Sequence, residues 1–126
     1  MRATCDVFES WATPAKGFYA LETFEDETFR WVNNDAVVML HAERGAALSF
    51  FVEQGPGLDG APFSLAIGRP DGTEIVAVWI ASRTWVHVPM AGLEDTDRLT
   101  MRCEGGGKAV AGDPRLLNFR IFACEA

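Results

Sequence analysis

The amino-acid sequence predicts an all-β protein, a two-sheet antiparallel sandwich of jelly-roll type with little helix. Three observations carry that expectation. Apolar and polar residues alternate with period two along most of the chain. The alternating runs are short and are separated by Gly- and Pro-rich stretches such as "EQGPGLDGAP" and "EGGGKAVAGDP", where a packed ladder cannot be sustained. No window long enough for a helix holds a 3.6-residue apolar period.

In chain order, strands are expected over residues 2 to 8, 17 to 22, 28 to 32 and 35 to 41. Any helix is limited to a turn near Ser10 to Ala15 or Leu93 to Asp97. The run 46 to 52 places Ala46, Leu48, Phe50 and Val52 on one face of a strand and Ala47, Ser49 and Phe51 on the other. Phe63, Leu65 and Ile67 then alternate with Ser64, Ala66 and Gly68. "RPDGTE" supplies an Asp-Gly turn, and "EIVAVWI" returns as the second strand of a hairpin. In "RTWVHVPM", Val86 and Val88 oppose Trp85 and His87. Leu99, Met101 and Cys103 alternate with Arg98, Thr100 and Arg102, and "LLNFRIFACE" closes the chain. Some nine or ten short strands at this spacing suit a sandwich or barrel, and long first and last strands favour the jelly roll. An immunoglobulin-type sandwich is disfavoured because its Cys…Trp…Cys spacing is missing. Without a linker, low-complexity tract or internal repeat, residues 1–126 read as a single β-sandwich domain.

Composition narrows the function classes. With 48% hydrophobic and 23% charged residues the chain has an ordinary globular composition. Its 11 basic against 18 acidic residues, a formal charge of -7, argue against a nucleic-acid partner, whose phosphates need clustered Lys and Arg. The start "MRATCDVFESW" carries no signal-peptide pattern and no apolar run is long enough to span a bilayer. A cytoplasmic location without a membrane partner is therefore expected. Cys5, Cys103 and Cys124 show no C-x-x-C spacing and are expected as buried, reduced thiols; Cys5 and Cys124 would face each other if the terminal strands pair.

The catalytic inventory is thin. His41 and His87 each stand alone within a strand, without an H-x-H or H-x-x-x-H partner, and no Ser occupies a nucleophile context. "FEDET" and "LEDTD" read as solvated turn acids and lack the D-x-D-x-D-G spacing of a calcium loop. No catalytic residue, metal or cofactor is therefore assigned. Aromatics mixed with planar polar groups are the stronger signal. Flat apolar rings suit the C–H face of a sugar, and guanidinium, amide and carboxylate groups suit its hydroxyls. Trp85 and His87 share one strand face, as do Asn118 and Arg120. In "GFYALETFEDETFRW" two readings compete. Tyr19, Glu22, Arg30 and Trp31 hold a ligand, or Glu22 and Arg30 pair across a hairpin while Phe18, Phe29 and Trp31 fill the core and Tyr19 and Arg30 face the other side.

Three segments carry a family resemblance: Gly17, Phe18, Tyr19 and Glu22; Phe29, Arg30 and Trp31; and Asp113, Pro114, Arg115, Leu117, Asn118, Phe119, Arg120, Ile121 and Phe122. In combination they resemble a small β-sandwich accessory domain found beside bacterial glycosyltransferases and methyltransferases of surface-polysaccharide synthesis. The likeness spans about residues 16 to 124, with Phe18 and Ala20 where that group commonly has Trp and Pro. It implies a galactose-binding-domain-like jelly roll, a carbohydrate-related accessory role and a glycosyltransferase partner. The leading expectation is thus a non-catalytic carbohydrate-binding or accessory module that takes a saccharide or nucleotide-sugar. Its ligand-binding candidates are Tyr19, Arg30, Trp85, His87, Asp113, Arg115, Asn118 and Arg120. The alternative is a structural or protein-interaction β-sandwich in which these residues are scaffold.

Overall fold

The computed structural model describes residues 7–8, 11–41, 47–90 and 96–125. Among these described residues nine strands follow one another: β1 (Ala12–Phe18), β2 (Glu22–Phe24), β3 (Glu27–Leu40), β4 (Ala47–Gln54), β5 (Phe63–Gly68), β6 (Glu74–Ile80), β7 (Thr84–Pro89), β8 (Arg98–Cys103) and β9 (Phe119–Glu125). Every pairing is antiparallel, and the main path runs β6-β5-β8-β3-β9-β4-β7, with β1 and β2 added along β3. The end strands β6 and β7 come close without pairing, so the sheet is nearly closed into a barrel. The all-β antiparallel class expected from the sequence is the observed one.

One strand explains why the two expected layers are joined. The 14 residues of β3 pair first with β2 and β9, through Phe29 and Arg30–Val32, and then with β1 and β8, through Asp35–Leu40. From sequence this strand divides into two, because Asn33, Asn34 and Asp35 interrupt the apolar alternation and have low strand propensity. Here they have partners. Asp35 lies opposite Arg102, and the Asn34 Oδ1 accepts the Gly107 N–H at 2.8 Å and the Asn118 side-chain amide.

The core follows the period-two reading. Val32, Ala36 and Val38 of β3, Leu48, Phe50 and Val52 of β4, Leu65 and Ile67 of β5, Val86 and Val88 of β7, Leu99 and Met101 of β8, and Phe119 and Ile121 of β9 are all buried in one cluster. Each fully buried Leu, Ile or Phe contributes about 1.5–3 kcal/mol of transfer free energy. Several local expectations are corrected. Val7 and Phe8 lie in a turn, not a strand, and Phe8 caps the core with its ring edge-on to Phe18 at 5.3 Å; residues 2 to 6 lie outside the described set. The turn foreseen near Ser10 to Ala15 is extended from Ala12 onward, since β1 finds a partner in β3. The strand expected over 17 to 22 breaks at Tyr19–Leu21, and β9 begins at Phe119, after irregular backbone that follows Pro114. The Leu93 to Asp97 expectation falls mostly on residues outside the described set, as does any pairing of Cys5 with Cys124.

The acidic turn of the first hairpin is tight. Phe24 pairs with Glu27, and Glu25 and Asp26 between them take positive φ of 50° and 65°. A two-residue loop with both φ positive matches the right-handed twist of its strands, and Asp is among the side chains that tolerate it best. This geometry leaves Phe24 exposed at the tip.

Candidate functional site

The face of β3, β9, β4 and β7 that points away from the core is aromatic. Phe29 and Trp31 alternate with Arg30 and Val32, so they lie opposite the core side, on which Arg30 pairs with the buried Ile121. Phe29 is buried, as the sequence reading had it, but outside the main core cluster, and Trp31 is only half-buried. Instead Phe29 meets Trp31 edge-on at 5.7 Å and Phe122 at 5.9 Å, and Phe122 continues to Phe51 at 5.8 Å. Phe51 in turn carries Trp85, tilted by 30° at 4.9 Å. The result is a second apolar layer outside the barrel wall, ending in Trp85, which is 36% exposed.

Two arginines lie on this layer. The Arg120 guanidinium sits 4.6 Å from the Phe29 ring centre, 4.8 Å from Phe122 and 5.2 Å from Trp31, and Arg83 sits 4.0 Å from Phe122. At these distances a cation is attracted to the negative face of the ring. Both arginines converge on Glu53: Arg120 Nη2 donates to Oε1 at 2.7 Å, and Arg83 donates from Nε and Nη2 at 3.4 Å each while its Nη1 and Nη2 also reach Glu27. Burial raises the Glu53 pKa, but the hydrogen bonds from Arg120 and Arg83 outweigh it and hold the carboxyl below its ordinary value. Beside Trp85, the His87 ring shares a 2.7 Å hydrogen bond with the Ser49 hydroxyl.

A second polar cluster joins the irregular segment before β9 to the first hairpin. Arg115 donates to Glu22 at 2.7 Å and to both oxygens of Asp113, and lies 5.6 Å from the Tyr19 ring. Asp113, held by the Arg115 side chain and then by its N–H, has a lowered pKa, and the Arg115 guanidinium is shifted upward by Asp113 and Glu22. The Tyr19 hydroxyl accepts the Leu116 N–H at 2.9 Å, and the Tyr19 carbonyl accepts from Arg30 at 2.8 Å. The cross-hairpin pairing of Glu22 with Arg30 is therefore corrected. Glu22 lies opposite Phe29, which puts Arg30 on the other side of the strand, and Glu22 takes Arg115 instead.

The sequence candidates thus fall into three places. Trp85, His87 and Arg120 belong to the aromatic layer; Tyr19, Arg30, Asp113 and Arg115 form the polar cluster. Asn118 does not join Arg120 on an exposed face. It is fully buried, with Gly57 and Gly107 packed against its amide. Phe51, Phe122, Glu53, Arg83 and Glu27 complete the layer but were not among the candidates. Phe51 and Phe122 were legible as residues alternating away from the core, whereas the meeting of Arg83, Arg120 and Glu53 depends on a register that sequence does not give.

Among the described residues no group of three or more His, Cys, Asp or Glu is placed to hold a metal ion, and no helix is long and apolar enough to cross a membrane. No family model matches the chain, and no curated protein is similar to it.

Proposed function

We propose that the domain is a non-catalytic carbohydrate-binding or accessory module of jelly-roll, galactose-binding-like type. On this reading it works in the cytoplasm beside a glycosyltransferase of polysaccharide synthesis. The observation that carries the proposal is the aromatic layer. A one-sided sheet ordinarily presents polar residues to water, yet here Phe29, Trp31, Phe51, Phe122 and Trp85 form a continuous apolar layer outside a core that is already filled. Trp85 offers a partly open ring, and His87, Arg83 and Glu53 supply fixed hydrogen-bonding groups around the layer. A pyranose laid on the Trp85 ring finds both.

The preference of this face is for neutral sugars or the sugar part of a nucleotide-sugar. Arg83, Arg115 and Arg120 already hold Glu27, Glu53, Glu22 and Asp113, so an acidic sugar would have to displace a carboxylate. Sugars shed water at high cost, and a shallow site should bind with Kd of roughly 10 μM to 1 mM. Ligand-observed NMR with neutral hexoses and nucleotide-sugars tests the reading, with Trp85→Ala as the variant that removes the platform. Saturation transfer that disappears in Trp85→Ala supports it; silence from the whole panel up to about 10 mM, beyond that weak limit, refutes it.

A specific observation favours the second reading, a protein-interaction domain. Trp79 on the end strand β6 is 66% exposed and Phe24 at the hairpin tip is 64% exposed. Large exposed aromatics are enriched at interfaces, and retention of a glycosyltransferase by the wild type but not by Trp79→Ser with Phe24→Ser would favour this use.

A further inference from the structure

On the opposite side of the barrel from Trp85's strand, β1, β3, β8, β5 and the β5–β6 turn enclose a groove of about 380 Å³. Its floor is made by an unusual pair of outward positions. Leu65 and Ile67 point into the core, so Ala66 and Gly68 face outward, yet both are buried. In the register, Asp35, Arg102 and Ala66 form one row across three strands, and Val37, Thr100 and Gly68 form the next. Each row is smallest at β5, which makes the surface concave. The walls are longer side chains: Lys16 from β1, Asp35 from β3, Arg69 and Glu74 from either side of the β5–β6 turn, and Thr100 and Arg102 from β8.

The β1 wall is built by an irregularity. Register shifts flank Lys16, and Gly17 adopts φ of 81° with its α-carbon against the Asp35 carbonyl, where a Cβ would come within 2.1 Å of the oxygen. Only glycine serves there. The bulge re-aims β1 and sets Lys16 at the rim of the groove, the use to which bulges beside binding sites are commonly put.

From this geometry we infer a second small-molecule site, for a hydroxylated carboxylate such as a uronic acid. The volume lies near the lower end of the roughly 300–1,000 Å³ usual for ligand sites, enough for one or two sugar rings. Cations and acids both line it. Lys16 and Arg69 suit a carboxylate, while Asp35, Glu74 and Thr100 suit hydroxyl groups. Arg102 is itself tied to Glu104 at 2.8 Å. A phosphate ester is disfavoured because its extra negative charge would sit against Asp35 and Glu74. Among the described residues no aromatic lines the groove, so a stacked nucleobase finds no ring there to rest on. The site does not depend on the aromatic layer, and its ligand preference is the opposite one.

The test is a titration of D-glucuronate, D-galacturonate, glucose and glucose 6-phosphate by calorimetry and ligand-observed NMR, on the wild type, Lys16→Gln/Arg69→Gln and Trp85→Ala. Both altered groove side chains are on the surface, and matching thermal midpoints establish that the double variant folds. The uronates should bind at least about tenfold tighter than glucose and tighter than the phosphate ester, and the groove variant should lose about tenfold or more. Trp85→Ala should leave uronate binding unchanged, which separates this site from the proposed face. Absence of uronate binding up to about 10 mM, equal binding of glucose, tighter binding of the phosphate ester, or full binding by Lys16→Gln/Arg69→Gln each overturns the inference. So does loss of uronate binding in Trp85→Ala.

Discussion

Replacing Arg120 by methionine should be the most costly single change on the outer face. Methionine keeps an unbranched apolar stem but removes two hydrogen bonds to Glu53, at 2.7 and 3.1 Å, and the cation resting 4.6–5.2 Å from the centres of Phe29, Phe122 and Trp31. A hydrogen bond to a charged group contributes about 1.5–3 kcal/mol, and a cation–π contact about 0.5–1 kcal/mol where water is near. The Arg120 and Glu53 side chains are 20% and 28% exposed, so solvent screens part of this, and Glu53 keeps Arg83 as a weaker partner at 3.4 Å. The net loss should be about 2–3 kcal/mol, equivalent to a fall of roughly 8 °C in Tm for a domain of this size. Arg120→Lys should fall between wild type and Arg120→Met, because lysine keeps the charge but loses the planar fork. Arg102→Met is the control. Its ion pair with Glu104 is nearly as short, 2.8 Å, but the side chains are 60% and 43% exposed, and its loss should leave the urea midpoint almost unchanged. Urea unfolding with unchanged m-values measures all three. The reasoning is refuted if Arg120→Met lies within about 0.5 kcal/mol of wild type, or if Arg102→Met costs as much.

Three other outcomes follow from the same geometry. Gly107→Ala would bring a Cβ within 1.8 Å of the Oδ1 of the fully buried Asn118 and should destabilise by about 3 kcal/mol or more; a folded variant with an unchanged urea midpoint would contradict that packing. Acid should weaken the fold through Glu53 and Asp113. Both have lowered folded pKa values, so their contribution is complete above the unfolded pKa of about 4 and is lost as pH falls through the folded values. Stability measured from pH 5 downward should drop more steeply for wild type than for the Arg120→Met, Arg115→Met double variant, about 4 being the upper edge of the window. Burial, followed by the negative charges of Glu104 and Asp35, pushes the Cys103 thiol up to about 11, so alkylation near pH 8 should require unfolding. Mass spectrometry of the Cys103 peptide with and without urea reads this, and labelling of the folded protein at the rate of a free peptide thiol would count against it.

Much of the fold was legible because period two is a local property. Leu48, Phe50, Val52, Phe63, Leu65, Ile67, Val86, Val88, Leu99 and Met101 announce their burial by spacing alone, and all are buried. What spacing cannot convey is which side of a strand becomes the inside when both sides carry aromatics. In "FRW" the two large apolar residues suggest an inward face, yet the register with β9 turns Arg30 toward Ile121 and leaves Phe29 and Trp31 outside. Phe29 is nevertheless 3% exposed, covered by Arg120 and Phe122. The candidate site was half legible for the same reason. Trp85 and His87 share a face by simple alternation, whereas the partners of Arg115 and Arg120 lie across the sheet or on another segment, and Asn118 is drawn inward by Asn34, which is distant in sequence.

The distribution of charge over the two sides bears on what the domain can bind. A chain of formal charge -7 has few cations to place; Arg83 and Arg120 hold carboxylates on the aromatic layer, and Arg115 holds Glu22 and Asp113 in the polar cluster. Paired in this way Arg83 and Arg120 stiffen the layer and present edges of hydrogen-bonding nitrogen rather than an open positive field. Across the barrel the groove has no such ring layer among the described residues. Lys16 and Arg69 line a concavity together with the acids Asp35 and Glu74, over a floor of Ala66 and Gly68. On the two proposed readings, rings and fixed donors on one side and a groove lined by both signs of charge on the other would suit different ligands. On those readings a neutral sugar would suit the first because it needs no countercharge, and a sugar acid the second because it brings one. If both sites are filled in one chain, a polymer with alternating neutral and acidic residues would need to wrap the barrel to reach both. A short oligosaccharide would instead occupy one site at a time, and competition between glucose and glucuronate should then be absent.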